Sequence, residues 1–404
     1  MKWEKVKLGN VCEITSSKRI FYSEYVDDGV PFYRSKEIIE SDEGKVIENP
    51  LYISVDKYNE IKEKFGVPQT GDMLLTSVGT IGIPYIIKKK DCFYFKDGNL
   101  TWFRDFREGL NSKYLYYWIK SSEGTGILYN TTIGSSQKAL TISALKNIKV
   151  SLPPRSVQDK IVEVVSAYDD LIENNQKQIK LLEEAAQRLY KEWFVDLRFP
   201  GHENTKIVDG VPEGWSVYPF SSKVDIMSGG TPKTSIPDYY NGKIPFYTPK
   251  DSDGAFFAYK TQMNITEGGL KNCNSRLYPP KTVIITARGT VGKTTILAVP
   301  MAMNQSCYAL KMKENDAPYY LFFALNNEIK ALQTMANGGV FNTIIGKTFD
   351  SINIQIPKDP LIYGFEETVR PFMEQIKNKL QANSKLVEAR DRLLPKLMSG
   401  EVEV

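Results

Sequence analysis

The stretch from Arg288 to Thr295 is the part of the sequence most similar to a catalytic motif. Its sequence, Arg-Gly-Thr-Val-Gly-Lys-Thr-Thr, is close to the phosphate-binding loop of nucleotide hydrolases. That loop needs four residues between its glycines, so that backbone N–H groups can surround the phosphates. Only two residues lie between Gly289 and Gly292. The spacing therefore argues against nucleotide hydrolysis and predicts a tight turn after a buried strand.

Histidine and cysteine chemistry is sparse in this sequence. The 404 residues include one histidine, His202, and four cysteines, none of them in a Cys-x-x-Cys pair. A Ser-His-Asp triad would need that histidine, and a structural zinc site needs a cluster of Cys and His ligands. We therefore predict no catalytic residue and no metal site in this chain.

The segment Asn49–Tyr52 resembles the Asn-Pro-Pro-Tyr loop of amino-methyltransferases. Leucine replaces the second proline, and no strand followed by a Gly-x-Gly cofactor loop precedes the segment. A turn before a strand is the simpler interpretation.

The sequence contains an internal repeat whose two copies lie between 204 and 214 residues apart. Each copy alternates short β-rich runs with Gly and Pro turns and short helical segments. We therefore expect two similar globular domains, each followed by a further repeated element. The matching segments are Pro31–Lys36 with Pro245–Lys250, Leu74–Gly82 with Ile284–Gly292, Tyr114–Tyr117 with Tyr320–Phe323, and Ile148–Pro153 with Ile352–Pro357.

The further element has the spacing of a coiled coil. Apolar residues alternate at intervals of four and three over more than four heptads in the first copy, and less regularly in the second. Asn175 on this seam would fix the register of an antiparallel pair, while Pro371 predicts a kink or a late start of the second helix. The alternative is that each helix packs only on its own domain. The predicted seam residues are Ile161, Val165, Tyr168, Ile172, Asn175, Ile179, Leu182, Leu189, Trp193, Phe372, Ile376, Leu386, Leu393 and Leu397.

These elements predict an α+β fold of two similar mixed α/β domains. Two long helices forming an antiparallel coiled coil separate the domains, and the chain has an internal pseudo-two-fold repeat. The expected segments are 1–152 for the first domain, 153–198 for the first long helix, 199–358 for a linker and the second domain, and 359–404 for the second long helix.

The charge follows the same division. The formal net charges of the four segments in chain order are +3, −2, +4 and −1. Basic domains favour an anionic ligand, and acidic helices favour protein partners. No apolar run approaches the roughly 20 residues that span a bilayer, so we expect a cytoplasmic protein without a membrane segment.

The loops of both domains combine basic residues with short polar ones. Lys, Arg, Ser and Thr bind phosphates, and Arg, Asn and Gln can also hydrogen bond to base edges in the major groove. Such loops recur at matched positions of the two repeats, which supports DNA binding by both domains. The predicted DNA-binding residues are Lys18, Arg19, Arg34, Lys36, Thr80, Ser135, Ser136, Gln137 and Lys138 in the first domain, and Thr231, Lys233, Thr234, Lys250, Arg288, Thr290, Asn342 and Thr343 in the second.

Taken together, the sequence resembles the specificity subunit of type I restriction-modification systems over its whole length. Val211-Pro-Glu-Gly-Trp215 is similar to the start of that family's target-recognition domain, and Trp3 is the corresponding tryptophan near the N-terminus. The two Gly-Thr-x-Gly turns fit the interior of that domain. Leu152-Pro-Pro fits the entry to the family's conserved helix, and the segment Arg392–Gly400 fits its C-terminal end.

The resemblance implies a subunit without catalytic activity. Each target-recognition domain would read one half of a bipartite, asymmetric site in double-stranded DNA, with the coiled coil setting the unread spacer. Two methyltransferase subunits carrying S-adenosylmethionine would dock on the helices, and motor-nuclease subunits using ATP and Mg would join them. This chain itself would bind no cofactor.

Other readings of the sequence stay open. The chain could be a stand-alone DNA-binding protein, a protein scaffold, or the specificity subunit of a methylation-only system. A stand-alone DNA methyltransferase is the enzymatic alternative, and stoichiometric binding of S-adenosylmethionine by the purified chain would favour it.

Overall fold

The computed structural model describes residues 3–45, 47–134, 138–335, 344 and 346–404, with the backbone alone at 330–335. The chain forms two compact units, Met1–Glu173 with Lys385–Val404, and Asn174–Ser384. Each unit contains one globular domain and a part of each long helix.

The first unit is built on two four-stranded sheets. One has the order β2-β9-β6-β7 and is antiparallel, and the other has the order β3-β5-β4-β8 with β4 and β8 parallel. Strands β1 and β10 pair separately. The elements are β1 (Glu4–Lys7), β2 (Glu13–Thr15), β3 (Tyr25–Val26), β4 (Val30–Tyr33), α1 (Ser35–Asp42), β5 (Leu51–Ile53), α2 (Val55–Phe65), β6 (Met73–Thr76), β7 (Pro84–Ile86), β8 (Tyr94–Phe95), β9 (Leu100–Arg104), α3 (Ser112–Lys120), α4 (Ser122–Thr131), α5 (Ile142–Asn147) and β10 (Lys149–Leu152).

The second unit repeats this plan with longer strands. Its main sheet has the order β14-β21-β18-β19-β16, and a three-stranded sheet has the order β17-β15-β20. The elements, with the two long helices α6 and α10 that both units share, are α6 (Arg155–Tyr190), β11 (Ile207–Val208), β12 (Val211–Pro212), β13 (Ser216–Pro219), α7 (Phe220–Lys223), β14 (Val224–Ser228), β15 (Tyr240–Tyr247), β16 (Phe257–Ala258), β17 (Asn264–Ile265), α8 (Glu267–Lys271), β18 (Val283–Thr286), β19 (Thr294–Leu297), β20 (Ala302–Met303), β21 (Cys307–Met312), α9 (Pro318–Met335), β22 (Asn353–Ile356) and α10 (Asp359–Ser399).

The two domains share their strand connections as well as their sequence pattern. The order β2-β9-β6-β7 of the first domain returns as β14-β21-β18-β19 in the second. The parallel pair β4–β8 returns as β15–β20, and the pair β1–β10 returns as β13–β22. The predicted fold class, two similar mixed α/β domains with two long helices, is confirmed. The residue boundaries of the four predicted segments stay a prediction.

The long helices run antiparallel within each unit. In the first unit, Ile161 and Leu397 share one buried core, and Arg390 Nη1 lies 2.6 Å from Asp169 Oδ1. In the second unit, Asn175 Nδ2 donates to Asn383 Oδ1 at 2.8 Å.

Asn175 and Asn383 occupy equivalent positions of the repeat. They are 208 residues apart, and the buried residues Ile161 and Val369 of the two helices have the same separation. A polar residue therefore lies at the same seam position of both helices, and the two side chains bond to each other. An amide pair on the seam fixes the register of a coiled coil, because a shift of either helix would separate the two side chains.

Every residue of the predicted seam is buried or half-buried, and one expectation for the second helix is corrected. Helix α10 is continuous from Asp359 through Pro371, so the expected late start is wrong. Pro371 is exposed, and the carbonyl that loses its partner, on exposed Glu367, can bond to water instead. Met373 is fully buried, and the neighbouring Phe372 of the predicted seam is half-buried and packs against the same core. Buried members are Ile161, Val165, Asn175, Ile179, Ile376 and Leu397, and half-buried members are Tyr168, Ile172, Leu182, Leu189, Trp193, Phe372, Leu386 and Leu393.

A buried polar side chain connects each long helix to its own domain. In the first unit, Gln158 Oε1 accepts a hydrogen bond from the Asn111 N–H at 2.9 Å, at the start of α3. In the second, Glu366 Oε1 accepts from the Tyr320 N–H at 2.8 Å, in the first turn of α9. Gln158 and Glu366 are also 208 residues apart. An amide in one repeat and a carboxyl in the other therefore accept the equivalent hydrogen bond from a backbone N–H of the domain.

The carboxyl makes the second contact dependent on pH. Burial raises the pKa of Glu366 to about 7, although hydrogen bonds from two backbone N–H groups oppose the shift. The folded chain therefore binds more protons than the unfolded chain between the unfolded pKa near 4.5 and about pH 7. The stability that this group contributes is complete below that range and is lost as the pH rises through it.

We expect Glu366→Gln to remove this loss. The free energy of unfolding of the variant, relative to the parent, should rise by on the order of 3 kcal/mol between about pH 4.5 and about pH 8, since each pKa unit corresponds to about 1.4 kcal/mol. Urea unfolding at several pH values measures the difference. Gln158→Glu is the matched control. Its free energy of unfolding, relative to the parent, should fall by a similar amount over the same pH range. Equal slopes for the parent and Glu366→Gln would contradict the assignment.

Candidate nucleic-acid interface

The Gly-Thr-x-Gly segments are the hairpin turns β6–β7 and β18–β19. Gly79 and Gly82 have φ of 79° and 87°, and Gly289 and Gly292 have φ of 82° and 81°. Only glycine adopts this left-handed region without strain. The strands before the turns are fully buried, so the predicted tight turn after a buried strand is what the structure has.

Backbone hydrogen bonds gather the loops of the first domain around its turn. The Ser77 N–H donates to the Asn99 carbonyl at 2.8 Å, and the Leu140 N–H donates to the Ser77 carbonyl at 2.9 Å. The Lys18 N–H donates to the buried Tyr94 hydroxyl at 2.6 Å, and burial raises the pKa of that hydroxyl. Segments distant in sequence therefore meet at one edge of the domain.

The second domain repeats this arrangement. The Ala287 N–H donates to the Ser306 carbonyl at 2.7 Å, and the Asn304 N–H donates to the Tyr247 carbonyl at 3.0 Å. The Gly230 N–H donates to the Met303 carbonyl at 3.1 Å. A Cβ atom on Gly230 would lie 2.7 Å from the Asn274 nitrogen, so this close approach requires glycine. The segments next to Thr231, Lys250 and Arg288 therefore meet at the stretch from Met303 to Ser306.

The predicted basic residues of the first domain differ in how they are held. Arg34 is bound through Nε and Nη2 to the buried carboxylate of Glu37, and its own N–H also donates to it. Arg34 therefore has a structural role at the start of α1.

The other predicted basic side chains of the first domain are exposed. Lys18 lies 4.4 Å from the Phe65 ring centre, and Lys138 lies 3.7 Å from the Tyr129 ring centre. Lys36 is 3.6 Å from a Glu40 carboxylate oxygen. Arg19 Nε donates to Asp97 Oδ2 at 2.8 Å, and Thr80 is exposed on its turn.

The predicted residues of the second domain are all exposed where they are described. Lys250 and Arg288 make no ion pair with any residue that the structure describes. Thr290 Oγ1 donates to the Pro249 carbonyl at 3.2 Å, which joins the loop of Lys250 to the turn of Arg288. Thr231 Oγ1 hydrogen bonds to Gln305 Oε1, and the neighbouring Lys233 and Thr234 are exposed.

Five predicted residues lie outside the described part of the chain. They are Ser135, Ser136, Gln137, Asn342 and Thr343. No contact assigns a DNA partner to any predicted residue, so the set stays a prediction.

The loop that follows each parallel strand also contributes to these edges, and its residues were not among those predicted from the sequence. Asp97, after β8, holds Arg19, and Gln305, after β20, holds Thr231. Both loops lie between segments with little sequence similarity. The signal that could have found them is the repeat itself, because Tyr94–Phe95 and Ala302–Met303 are equivalent strands.

Two of the four cysteines are buried. Burial raises the pKa of Cys12 and of Cys307 to about 12, so neither thiol ionises near neutral pH. Within the described ranges, no group of three or more His, Cys, Asp or Glu side chains could hold a metal ion. In the same ranges, no helix is long and apolar enough to cross a membrane.

The side chains at the two edges can donate hydrogen bonds to an anionic ligand. Exposed Lys and Arg side chains bind phosphates, while Arg, Thr, Asn and Gln side chains on the same loops can bond to base edges. Loops held by backbone hydrogen bonds can present such groups in fixed positions.

Known proteins are similar to this chain in sequence and in fold. The family model of the type I restriction modification DNA specificity domain matches residues 1–184 and 212–381. The MjaIX specificity subunit of Methanocaldococcus jannaschii is 28% identical over all of this chain and 94% of its own length. The HindI specificity subunit of Haemophilus influenzae is 25% identical over 65% of this chain and 71% of its own length.

The fold has a solved counterpart in a type I restriction-modification S subunit from M. genitalium. It superimposes with a TM-score of 0.61 at 16% identity, over 98% of this chain and 96% of that one. Since the family model matches both repeats, and with them most of the sequence, the chain belongs to the family of type I restriction-modification specificity subunits.

Proposed function

We propose that this chain reads a bipartite, asymmetric site in double-stranded DNA, one half with each domain. Specificity subunits are the non-catalytic components of type I systems, and recognition of a DNA sequence is what the family implies. The bipartite form of the site rests on the presence of two domains with equivalent loop edges.

The observation that carries the proposal is that equivalent loops present different side chains. Arg19 bonded to Asp97 in the first domain corresponds to Thr231 bonded to Gln305 in the second. A shared framework explains why both domains would bind DNA, and different side chains explain why the two half sites would differ in sequence.

The long helices fit the role of a spacer and a docking surface. α6 has 36 residues and α10 has 41, which at about 1.5 Å per residue gives lengths of roughly 54 Å and roughly 60 Å. The segments that contain them, 153–198 and 359–404, carry net charges of −2 and −1 and have exposed charged faces. Two methyltransferase subunits would dock on them, and motor-nuclease subunits would complete the complex.

The cofactors of the reaction would belong to these partners. S-adenosylmethionine would be bound by the methyltransferase subunits, and ATP and Mg by the motor-nuclease subunits. This chain would bind none of them and would work in the cytoplasm. A methylation-only system, without the nuclease, would use this chain in the same way.

The first test is to map methylated adenines in host DNA. Co-expression of this chain with the methyltransferase encoded beside it should produce one split motif with a fixed spacer, and omission of this chain should abolish it. Single-molecule sequencing measures both. Methylation that persists without this chain would refute the proposal.

The spacer role predicts the effect of lengthening both helices together. Matched insertions of one heptad after Asn175 and after Asn383 would add about 10 Å, or roughly three base pairs, because a base pair rises about 3.4 Å. The motif should gain a longer spacer with unchanged half sites. The control replaces the adjoining heptads without changing their length. Altered half sites with an unchanged spacer would refute the role.

The basic loops separate DNA recognition from a protein scaffold. Lys250→Ala combined with Arg288→Ala should weaken duplex binding, and should reduce the slope of log affinity against log salt by about one for each phosphate that the variant no longer neutralises. Fluorescence anisotropy at several salt concentrations measures the slope. Lys206→Ala, outside these loops, is the control. A scaffold that binds only protein would show no duplex binding at all, with or without the substitutions.

A further inference from the structure

The ion pair of Arg19 and Asp97 leaves most of the arginine side chain exposed. Arg19 Nε lies 2.8 Å from Asp97 Oδ2, and the arginine side chain remains 67% exposed while the aspartate is 18% exposed. Among the described residues, only the Nε of this guanidinium has a hydrogen-bond partner. Its outer edge, with Nη1 and Nη2, therefore faces solvent.

The loop that carries Arg19 is fixed rather than loose. The N–H of Lys18 donates to the hydroxyl of the buried Tyr94, and Ile20 is itself buried. Asp97 follows β8 by two residues, and the Lys96 N–H donates to the Tyr33 carbonyl at 2.8 Å. Both partners are therefore positioned by the sheet, and the guanidinium plane has a defined direction.

The charge balance decides between phosphate and base as the target. An arginine paired with an aspartate forms a unit with no net charge, so it gains little from a phosphate and brings a carboxylate that a phosphate repels. The fork of Nη1 and Nη2 keeps its geometry, and that fork matches the O6 and N7 acceptors of guanine in the major groove. The ion pair with Asp97 thus weakens the attraction of Arg19 to the DNA phosphates. It leaves the guanidinium able to hydrogen bond to a base edge.

The second domain has no arginine–aspartate pair at the position equivalent to Arg19 and Asp97. Thr15 pairs with Trp102 in β9, and Met227 pairs with Ala309 at the matching place in β21. Counting four residues onward from Thr15 and from Met227 gives Arg19 and Thr231. The counterparts of the ion pair are therefore two neutral side chains, which cannot present a guanidinium fork.

We propose that Arg19, held by Asp97, reads a guanine in the half site of the first domain, and that the half site of the second domain has no guanine selected in this way. The inference rests on the proposed function and names one base contact within it.

The test is selection of duplexes from a random library by the full-length chain. The parent should select two half sites, one of which contains a nearly invariant G·C pair. Arg19→Ala should lower the preference for that pair by roughly ten- to a hundredfold and leave the other positions unchanged. Arg19→Lys should keep the overall affinity but lose the same preference, since an ammonium group has no fork.

Asp97→Asn gives a result that a merely structural role would not produce. It removes the negative charge beside Arg19 while leaving an oxygen that can accept from Nε. Affinity for unrelated duplexes should therefore rise, while the preference for guanine falls. Lys206→Ala, outside the predicted DNA-binding loops, is the control and should change neither the affinity for unrelated duplexes nor the preference for guanine.

The outcomes separate the inference from the function on which it rests. If the parent selects a split motif and Arg19→Ala selects the same motif at every position, the guanine contact is wrong and the proposed function stands. If Arg19→Ala weakens binding equally for all sequences, Arg19 contacts a phosphate and the inference is also wrong. If the parent selects no motif, the proposed function fails with it.

Discussion

Each domain depends on burying a helix segment that comes from the other half of the chain. In the first unit, Leu394 and Leu397 of the C-terminal helix lie in one core with Trp118 and Ile161. In the second unit, the first helix contributes in the same way to the core around the second domain. Burial of one large apolar side chain stabilises a fold by about 1.5–3 kcal/mol, so several of them decide whether a domain of this size is stable. Each domain core therefore includes apolar side chains from both long helices.

Much of this architecture could be predicted from the sequence because its signals are periodic. The heptad spacing indicated the helices, and the Gly-Thr-x-Gly turns and matched segments indicated two related domains. The prediction failed where one residue was given too much weight. Pro371 suggested an interruption, yet it lies on the solvent side, where a helix tolerates the loss of one hydrogen bond, and the helix therefore continues through it.

The functional residues were harder to predict than the fold, for a physical reason. A loop side chain is positioned by contacts from distant segments, and a single sequence does not show those contacts. The basic character of Arg34 and Arg19 is equal in the sequence. In the structure one is bound by a buried glutamate and supports a helix, whereas the other presents its outer edge to solvent. Only the partners, Glu37 and Asp97, distinguish them.

The bond between Asn175 and Asn383 makes the seam of the two helices self-complementary. Two equivalent positions that face each other are what a symmetric dimer has at its two-fold axis. The register of the seam is thus held by a contact that involves no loop of either domain. Substitutions in the loops of one domain therefore leave this contact unchanged.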